Sequence, residues 1–272
     1  MSPEGKTALT VKTSGGTAVY KNSYKLTFKC ERDCFVWHNT TSSCFALSFL
    51  KSPSGTGKST FLFNLYKRLK LREEGMQEHI NSRRESPLFN KIFKGRPLKT
   101  NKINFDFTPD LQIDTQVSIG YIPQDPSFIN HWKLCNILPE DDLFLDSLFP
   151  EESKNNLSSK RLGQFSGGQQ IRIYMSSALN KLVKFGSKSE YFFLLLDEAF
   201  DGLGAINAGV CIGSIKNVWK KEVQKPLYLF IITHLNNEEV IKSIGEEENI
   251  TKIKIDFLSE NSKGKVVNIY NE

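Results

Sequence analysis

A glycine-rich segment followed by lysine and serine is the first part of the sequence that could do chemistry. Residues 52–60, with the sequence SPSGTGKST, lie between an apolar run and a helical pattern. The glycines allow positive φ angles, so consecutive backbone N–H groups can surround a phosphate at a helix N-terminus. Lys58 would add a positive charge near the β- and γ-phosphates, and the Ser59 hydroxyl could bind Mg²⁺. The predicted nucleotide-binding residues are Ser52, Pro53, Ser54, Gly55, Thr56, Gly57, Lys58, Ser59 and Thr60.

This segment matches the phosphate-binding loop, or P-loop, G-x-x-x-x-G-K-[ST], except at its first position. Ser52 stands where the pattern has glycine. A serine there must either adopt an unusual backbone angle or let the loop adjust. We therefore expect nucleotide binding to be weakened but not lost.

A fully apolar run at residues 192–196 ends in two acidic residues, Asp197 and Glu198. In α/β sheets, ligands bind outside the carboxyl ends of the strands, so both side chains are candidates for a site. Asp197 is placed to hold Mg²⁺, directly or through water. Glu198 is placed to polarise a water molecule for attack on a γ-phosphate. Together with the P-loop, this pair predicts hydrolysis of ATP supported by Mg²⁺.

A second glycine-rich segment, residues 165–170 with the sequence FSGGQQ, begins a helical pattern. It resembles the LSGGQ signature of the ATP-binding cassette (ABC) ATPase superfamily, with phenylalanine in place of leucine. Its hydroxyl and N–H groups at a helix N-terminus could face a γ-phosphate. The resemblance implies that this nucleotide is held by the P-loop of a second subunit. The implied ATP-binding residues here are Ser166, Gly167, Gly168 and Gln169.

Two further residues follow in the order that this family requires. Gln124, in the sequence GYIPQD, is similar to the Q-loop glutamine, and His234, after the run LFIIT, is similar to the switch histidine. The resemblance covers residues 45–234 and implies an ATPase that uses ATP and Mg²⁺ in a head-to-tail homodimer or heterodimer. The implied catalytic residues are Glu198, His234 and Gln124, and the implied metal ligands are Ser59, Gln124 and Asp197.

The segment after Glu198 departs from the family pattern. Gly204 occupies the position where the family's D-loop has aspartate, Ala199 replaces a common proline, and Asp201 is out of register. Because that aspartate aligns two sites across a dimer, the departure puts communication between the sites in question.

The aromatic side chain that stacks on adenine in the family has three candidates in this sequence. Phe28, Phe35 and Trp37 all lie in the N-terminal strand region, and Phe35 is the favoured one. An aromatic residue in this region could equally well belong to the core.

Strand and helix patterns alternate along the chain, which predicts an α/β fold with a parallel central β-sheet. The family resemblance makes this a P-loop NTPase with an N-terminal antiparallel β-subdomain and a small helical subdomain. Predicted strands are 45–50, 117–122, 192–196 and 227–233, predicted helices are 59–71, 167–183 and 205–223, and a hairpin is predicted at 252–270. We predict one ABC domain over 1–272, with a basic, loop-rich insertion at 72–116 and a helical subdomain with short helices at 130–183.

The positive charge of the chain is concentrated in one segment. The net charge is +6, and residues 67–102 alone contain eleven Lys or Arg and four Glu, a net of +7. Such a segment could contact nucleic acid or an acidic partner, or it could be a solvated insertion.

Composition and cysteine count bound the class of protein. With 272 residues, 39% hydrophobic and 24% charged, the chain suits a globular domain. No apolar run approaches the ~18 residues of a spanning helix, and the polar residues 1–12 contain no apolar stretch of the signal-peptide kind. We therefore expect a cytoplasmic protein, peripheral to the inner face of a membrane if a partner holds it there. Cys30, Cys34, His38 and Cys44 could form a four-ligand zinc site, although their spacing matches no common zinc module, or the cysteines could be buried thiols on strands.

Three functions remain open at this point. The first is the nucleotide-binding subunit of an ABC transporter with a membrane permease as its partner, which the Q-loop region and the length favour. The second is an ABC ATPase acting with nucleic acid or a defence or repair partner, favoured by the basic segment. The third is a nucleotide-dependent regulator with slow turnover, suggested by Ser52 and Gly204.

Overall fold

The structure is a computed structural model that describes nine ranges of the chain. The described residues are 10–20, 24–38, 44–73, 100–109, 117–124, 132–139, 141–149, 160–245 and 249–272. Residues 74–99 of the basic segment, most of the predicted insertion and part of the predicted helical subdomain lie outside these ranges. The domain boundaries therefore stay predictions.

The described strands form one mixed sheet in the order β4-β1-β2-β9-β8-β3-β7-β6-β5. The strands are β1 (Thr10–Tyr20), β2 (Lys25–His38), β3 (Phe45–Lys51), β4 (Thr100–Pro109), β5 (Val117–Ile122), β6 (Tyr191–Asp197), β7 (Leu227–Ile232), β8 (Ile250–Asn261) and β9 (Gly264–Asn271). Strands β8, β3, β7, β6 and β5 run parallel to one another. Strand β1 pairs antiparallel with both β2 and β4. This arrangement confirms the predicted parallel sheet and the antiparallel N-terminal part.

Helices cover both faces of the parallel strands. They are α1 (Lys58–Glu73), α2 (Leu145–Leu148), α3 (Gly167–Phe185), α4 (Ala205–Val218) and α5 (Asn237–Ile244). Single 3-10 turns lie at Leu134–Asn136 and Leu162–Gln164, so the predicted short helices of this region are confirmed in its described part. No helix in the described ranges has both the length and the apolar character that crossing a membrane requires.

Strand β6 shows why the parallel strands are apolar throughout. Alternate side chains point to opposite faces of a strand, and here both faces are covered. Phe192 packs edge-on against Trp219 on one face, whereas Phe193 lies 5.3 Å from Trp37, between ring centroids, on the other. The core is accordingly divided into two apolar clusters, one on each side of the sheet. This double burial fixes the position of the acidic residues at the end of β6.

Three elements differ from the sequence-based predictions. The segment 72–116 was predicted to be a loop-rich insertion, but its residues 100–109 form β4, which completes the antiparallel part by pairing with β1. Helix α5 was not predicted. The segment 205–223 was predicted to be one helix. It is α-helical only as far as Val218, and its last five residues, Trp219–Val223, form a π-helical turn. There the buried Trp219 indole donates to the Lys225 carbonyl oxygen at 2.7 Å, a partner that a regular helix end would not supply.

Candidate nucleotide-binding site

The P-loop segment, residues 52–60, connects the carboxyl end of β3 to the first turn of α1. Gly57 has a φ of 92°, and a Cβ atom there would collide with the Leu26 side chain of β2. Only glycine fits this position without strain. Pro53 and Ser54 form an exposed turn. The Lys58 ammonium, 6% exposed, turns back over the loop and donates to the Ser52 carbonyl oxygen at 3.0 Å. The predicted residues of this loop therefore connect β3 to α1, with the Lys58 ammonium folded back over them.

Ser52 needs no unusual backbone angle in this loop. It is not among the non-glycine residues with positive φ in the described ranges. Its buried hydroxyl donates to the carbonyl oxygen of Ile255 in β8 at 2.8 Å and also contacts the Thr56 hydroxyl. The side chain thus fastens the loop to a neighbouring strand, which a glycine could not do. How this affects nucleotide binding stays a prediction.

Asp197 and Ser59 form a pair of oxygen ligands beside the loop. The Ser59 hydroxyl donates to Asp197 Oδ1 at 3.0 Å, and the Tyr121 hydroxyl donates to Asp197 Oδ2 at 2.8 Å. Burial raises the pKa of the Asp197 carboxyl, although both hydrogen bonds and the Lys58 charge act in the opposite direction. Hydroxyl and carboxylate oxygens are the ligands that Mg²⁺ prefers. A cation here would also offset the burial of the carboxylate, so the two residues fit this metal.

Glu198 joins the remaining predicted catalytic residues. Its Oε1 lies 3.5 Å from Lys58 Nζ and 3.1 Å from His234 Nε2, and its Oε2 accepts from the Gln124 side-chain amide. The residue has a φ of 55°, an unfavourable angle for a non-glycine side chain. Gln124 contacts Glu198 rather than the Ser59–Asp197 pair in these hydrogen bonds. Its predicted role as a metal ligand therefore stays a prediction.

Asp201 holds the segment that carries His234. Its carboxylate accepts from the His234 backbone N–H at 3.1 Å to one oxygen and 3.3 Å to the other, and from the Thr233 hydroxyl. Glu198, Asp201 and His234 are also the only three residues in the described part of the chain whose potential metal-ligating atoms cluster together. Asp201 was noted in the sequence only as an aspartate out of register. The structure instead places it against the histidine.

The signature segment, residues 165–170, lies at the N-terminus of α3. The Ser166 hydroxyl accepts from the Gln169 N–H at 3.3 Å, while the Gln169 side chain accepts from the Ser166 N–H at 2.9 Å. This reciprocal capping box fixes the start of the helix. Ser166 and Gly167 are exposed, and a Cβ atom on Gly167 would meet nothing within 4 Å. The hydrogen bonds of Ser166 thus stay within its own helix.

The loop after Glu198 packs directly beside the signature segment. A Cβ atom on Gly168 would lie 3.0 Å from Leu203, and one on Gly202 would lie 3.3 Å from Ile171. Gly204 then starts α4 with a φ of 74° in open space, so glycine is required there for its backbone angle. The departure at position 204 therefore has a conformational reason.

The favoured adenine-stacking candidate lies away from the P-loop. Phe35 packs 4.5 Å from His38, between ring centroids, and its N–H donates to the Asn271 side chain at the end of β9. Phe28 is the aromatic residue of β2 that approaches Gly57, and it is buried in the core. The preference for Phe35 was based on its strand alone, and the length of β2 carries it to the opposite end of the sheet.

The cysteine-rich pattern is not assembled into a metal site. Cys34 is buried, which raises the pKa of its thiol, whereas Cys30 and Cys44 are half-buried. In the described part of the chain, these residues do not form a group of metal-ligating atoms. The alternative of thiols on or beside strands fits the structure.

Three residues at the candidate site had no assigned role in the sequence analysis: Tyr121, Asp201 and Lys265. Tyr121 could have been found from its position three residues before Gln124 at a strand end. Lys265 donates to the Gly55 carbonyl oxygen at 2.9 Å across a separation of 210 residues, and no local signal indicates this contact.

Comparison with known proteins supports a fold assignment. No family model matches the chain, and no curated protein matches it. Among solved structures, it is similar to the archaeal ribosome recycling factor aABCE1, in complex with the archaeal ribosomal stalk protein aP1, at 13% identity and a TM-score of 0.51, covering 99% of this chain and 41% of that chain. It is also similar to a bacterial Atm1-family ABC exporter with ATP bound, at 12% identity and a TM-score of 0.51, covering 95% of this chain and 38% of that chain.

The chain thus spans about two fifths of the length of these two proteins. At such low identity, the similarity concerns the fold. The chain has the fold of an ABC nucleotide-binding domain.

Proposed function

We propose that this chain is an ATPase of the ABC type. The observation that carries the proposal is the position of the Glu198 carboxylate, in contact with Lys58, Gln124 and His234 at the mouth of the P-loop. These residues come from four separate segments of the chain. A purely structural cluster would not need to combine a phosphate-binding loop, a strained glutamate and a histidine at one strand end.

Nucleotide binding is assigned to the P-loop segment. Lys58 donates to the Ser52 carbonyl oxygen and faces Glu198, so phosphate oxygens would replace these two partners when ATP enters. Backbone N–H groups of residues 54–58 at the start of α1 would then surround the phosphates. The space between Lys58 and Glu198 is where the γ-phosphate would lie.

Hydrolysis is assigned to Glu198. Its carboxylate would accept a proton from water while the water oxygen bonds to the γ-phosphorus and the bond to ADP breaks. His234, held by Asp201, would contact the departing phosphate. Ser59 and Asp197 would hold Mg²⁺, which neutralises charge on the phosphates when it is bound.

The signature segment suggests that the site is shared by two copies in head-to-tail arrangement. Ser166 and Gly167 are exposed at the N-terminus of α3, where a helix dipole favours an anion. Lys58 and Ser59, by contrast, are already engaged within the chain. A γ-phosphate between the two halves would join the copies, so ATP would stabilise the dimer and hydrolysis would release it.

The direct test measures phosphate release and the molar mass of the purified chain with and without ATP and Mg²⁺. We expect ATP-dependent dimers and turnover, both of which should be lost in Lys58→Met. Lys184→Met, in the exposed last turn of α3, is the matched control and should behave as the wild type. A monomer that neither binds nor hydrolyses ATP would contradict the proposal. Dimers that bind ATP but turn over very slowly would favour the regulator.

We further propose that the ATPase serves as the cytoplasmic nucleotide-binding subunit of a transporter with a membrane permease. Support comes from the sequence around Gln124 and from the similarity to an exporter with ATP bound. The test is recovery of tagged Glu198→Gln chain with ATP and Mg²⁺ from separated membrane and soluble fractions. A co-purified integral membrane protein would support the proposal. Recovery of nucleic acid through the basic segment 67–102, with nothing from the membrane, would replace it with the second function.

A further inference from the structure

The C-terminal hairpin of the sheet touches the P-loop at two points. This hairpin consists of β8 and β9, which pair antiparallel around a turn at residues 261–264. Strand β8 also pairs parallel with β3, the strand that leads into the P-loop. The hairpin thus lies beside the loop, and it belongs to none of the motifs that the sequence analysis singled out.

The first contact is made by Ser52 at the position where the P-loop pattern has glycine. Its buried hydroxyl donates to the Ile255 carbonyl oxygen at 2.8 Å, while its own carbonyl oxygen accepts from Lys58. A shift of Ser52 relative to β8 would therefore also move the lysine that faces the phosphate. The hydroxyl links the hairpin to Lys58 through a single residue.

The second contact is made by Lys265 on β9. Its ammonium donates to the Gly55 carbonyl oxygen at 2.9 Å and lies 3.5 Å from a Glu260 carboxylate oxygen. Glu260 in turn accepts from the Tyr24 hydroxyl at 2.7 Å. The Lys265 ammonium also lies over the Phe257 ring, 5.2 Å from its centroid. With its side chain only 17% exposed, the lysine is held in one place by these neighbours.

The two contacts hold two different parts of the loop, its start at Ser52 and its turn at Gly55. Gly55 has a φ of 77° and is exposed, so little else restrains it. A carbonyl oxygen that is tied to Lys265 orients the neighbouring peptide N–H groups, which are the ones that face a phosphate. Hydrogen bonds from a charged donor are stronger than neutral ones, so this contact can hold a flexible glycine loop.

We propose that the β8–β9 hairpin pre-organises the P-loop, with Ser52 and Lys265 as positioning residues. Ser52 then is not a weakened version of the glycine pattern but part of a second support for the loop. The effect on the loop follows from the contacts alone, whereas the effect on ATP affinity rests on the function proposed above. The sequence predicts the opposite, namely that Ser52 weakens nucleotide binding relative to glycine. The two roles of Ser52 can therefore be distinguished by experiment.

Hydrogen exchange of the ATP-free protein tests the positioning role directly. Lys265→Met should speed exchange at the amides of residues 54–57 by about tenfold, the ratio for one lost hydrogen bond. Lys265→Arg should keep the donor and most of the protection. Lys254→Met is the matched control on β8, where the lysine lies 3.8 Å from Asp256 and 5.8 Å from the Tyr270 ring centroid. Equal exchange at 54–57 in Lys265→Met and Lys254→Met would overturn the proposal.

Nucleotide titration tests the consequence. Lys265→Met and Ser52→Ala should each raise the ATP dissociation constant about tenfold while changing kcat by less than about twofold. Ser52→Gly, which restores the usual pattern, should weaken binding as well. Tighter binding in Ser52→Gly would overturn the role given to Ser52. If the wild type binds no ATP but Lys265→Met still loosens residues 54–57, the hairpin role stands and the proposed function fails.

Discussion

The P-loop and the signature segment differ in where their polar groups find partners. Lys58, Ser59 and Glu198 are linked to side chains or carbonyl groups from several segments of the same chain. Ser166 is capped only by the first turn of its own helix in the hydrogen bonds given above, and Gly167 faces open space. One region is organised by the fold around it, whereas the other is a rigid, exposed helix start.

This difference is what a site divided between two copies requires. The P-loop half must be assembled before ATP arrives, because its residues would bind the nucleotide and activate the attacking water. The signature half must stay accessible, because its proposed target belongs to another chain. Substitutions in the two halves should therefore differ in whether they affect the isolated chain or only the pair.

The largest effect should come from Glu198→Gln in the P-loop half. The amide cannot accept the proton of the attacking water, so phosphate release should fall by about 10²- to 10⁴-fold, the usual contribution of a general base. ATP binding and ATP-dependent dimers should remain, as measured by equilibrium titration and light scattering. Glu190→Gln, in the exposed turn before β6, should keep wild-type turnover. Unchanged hydrolysis in Glu198→Gln would remove Glu198 from the mechanism.

The sharpest comparison pairs Gly57→Ala with Gly167→Ala. At position 57, a φ of 92° and the Leu26 side chain leave no room for a methyl group. Gly57→Ala should therefore destabilise the isolated chain by about 1–3 kcal/mol and abolish ATP binding. At position 167 there is open space, so Gly167→Ala should fold normally.

Gly167→Ala should nevertheless lower phosphate release roughly a hundredfold, because the methyl group would stand between the helix and the partner's nucleotide. Melting curves and turnover of both variants check the comparison. A Gly167→Ala chain with full activity would mean that the signature segment meets no nucleotide.

A smaller effect is expected for Asp201→Ala. The Thr233 hydroxyl and the His234 N–H would lose their acceptor, so the histidine would be less well placed. We expect kcat to fall about tenfold with little change in KM, since the hydrogen bonds of both groups to a charged carboxylate are removed. Asp201→Asn keeps an acceptor oxygen and should recover part of the activity. A change in KM alone would indicate a role in binding instead.

The smallest effect concerns stability. Burial raises the pKa of the Asp197 carboxyl. Above that pKa the charged carboxylate lowers the free energy of unfolding, and this loss shrinks as the pH falls through it, because the carboxyl then becomes neutral. Asp197→Asn should raise Tm near neutral pH by about 2–4 °C, as expected for about 1 kcal/mol. The gain should shrink at acidic pH. Asp141→Asn, on an exposed turn, should show no such pH-dependent gain, and a lower Tm for Asp197→Asn would contradict the argument.

Local sequence determined the chemistry-bearing segments and most of the elements that carry them. The run before Asp197 is apolar at every position because β6 is buried on both faces, and such a run is visible without a structure. The glycines of the P-loop and the serine cap of α3 are likewise local signals. The buried strands and the helices α1 and α3 were therefore predicted to within about two residues at most of their ends.

Only the tertiary structure decided which of these segments meet. Gln124 and Glu198 are 74 residues apart, Ser52 and Ile255 are 203 apart, and Lys265 reaches Gly55 across 210. Strand β4 was missed although Ile103, Phe105 and Phe107 alternate with polar residues, a pattern typical of a strand, and its partner β1 is distant in the sequence. These contacts depend on the order and register of strands in the sheet. Because register is set by packing among distant segments, no local spacing in the chain encodes it.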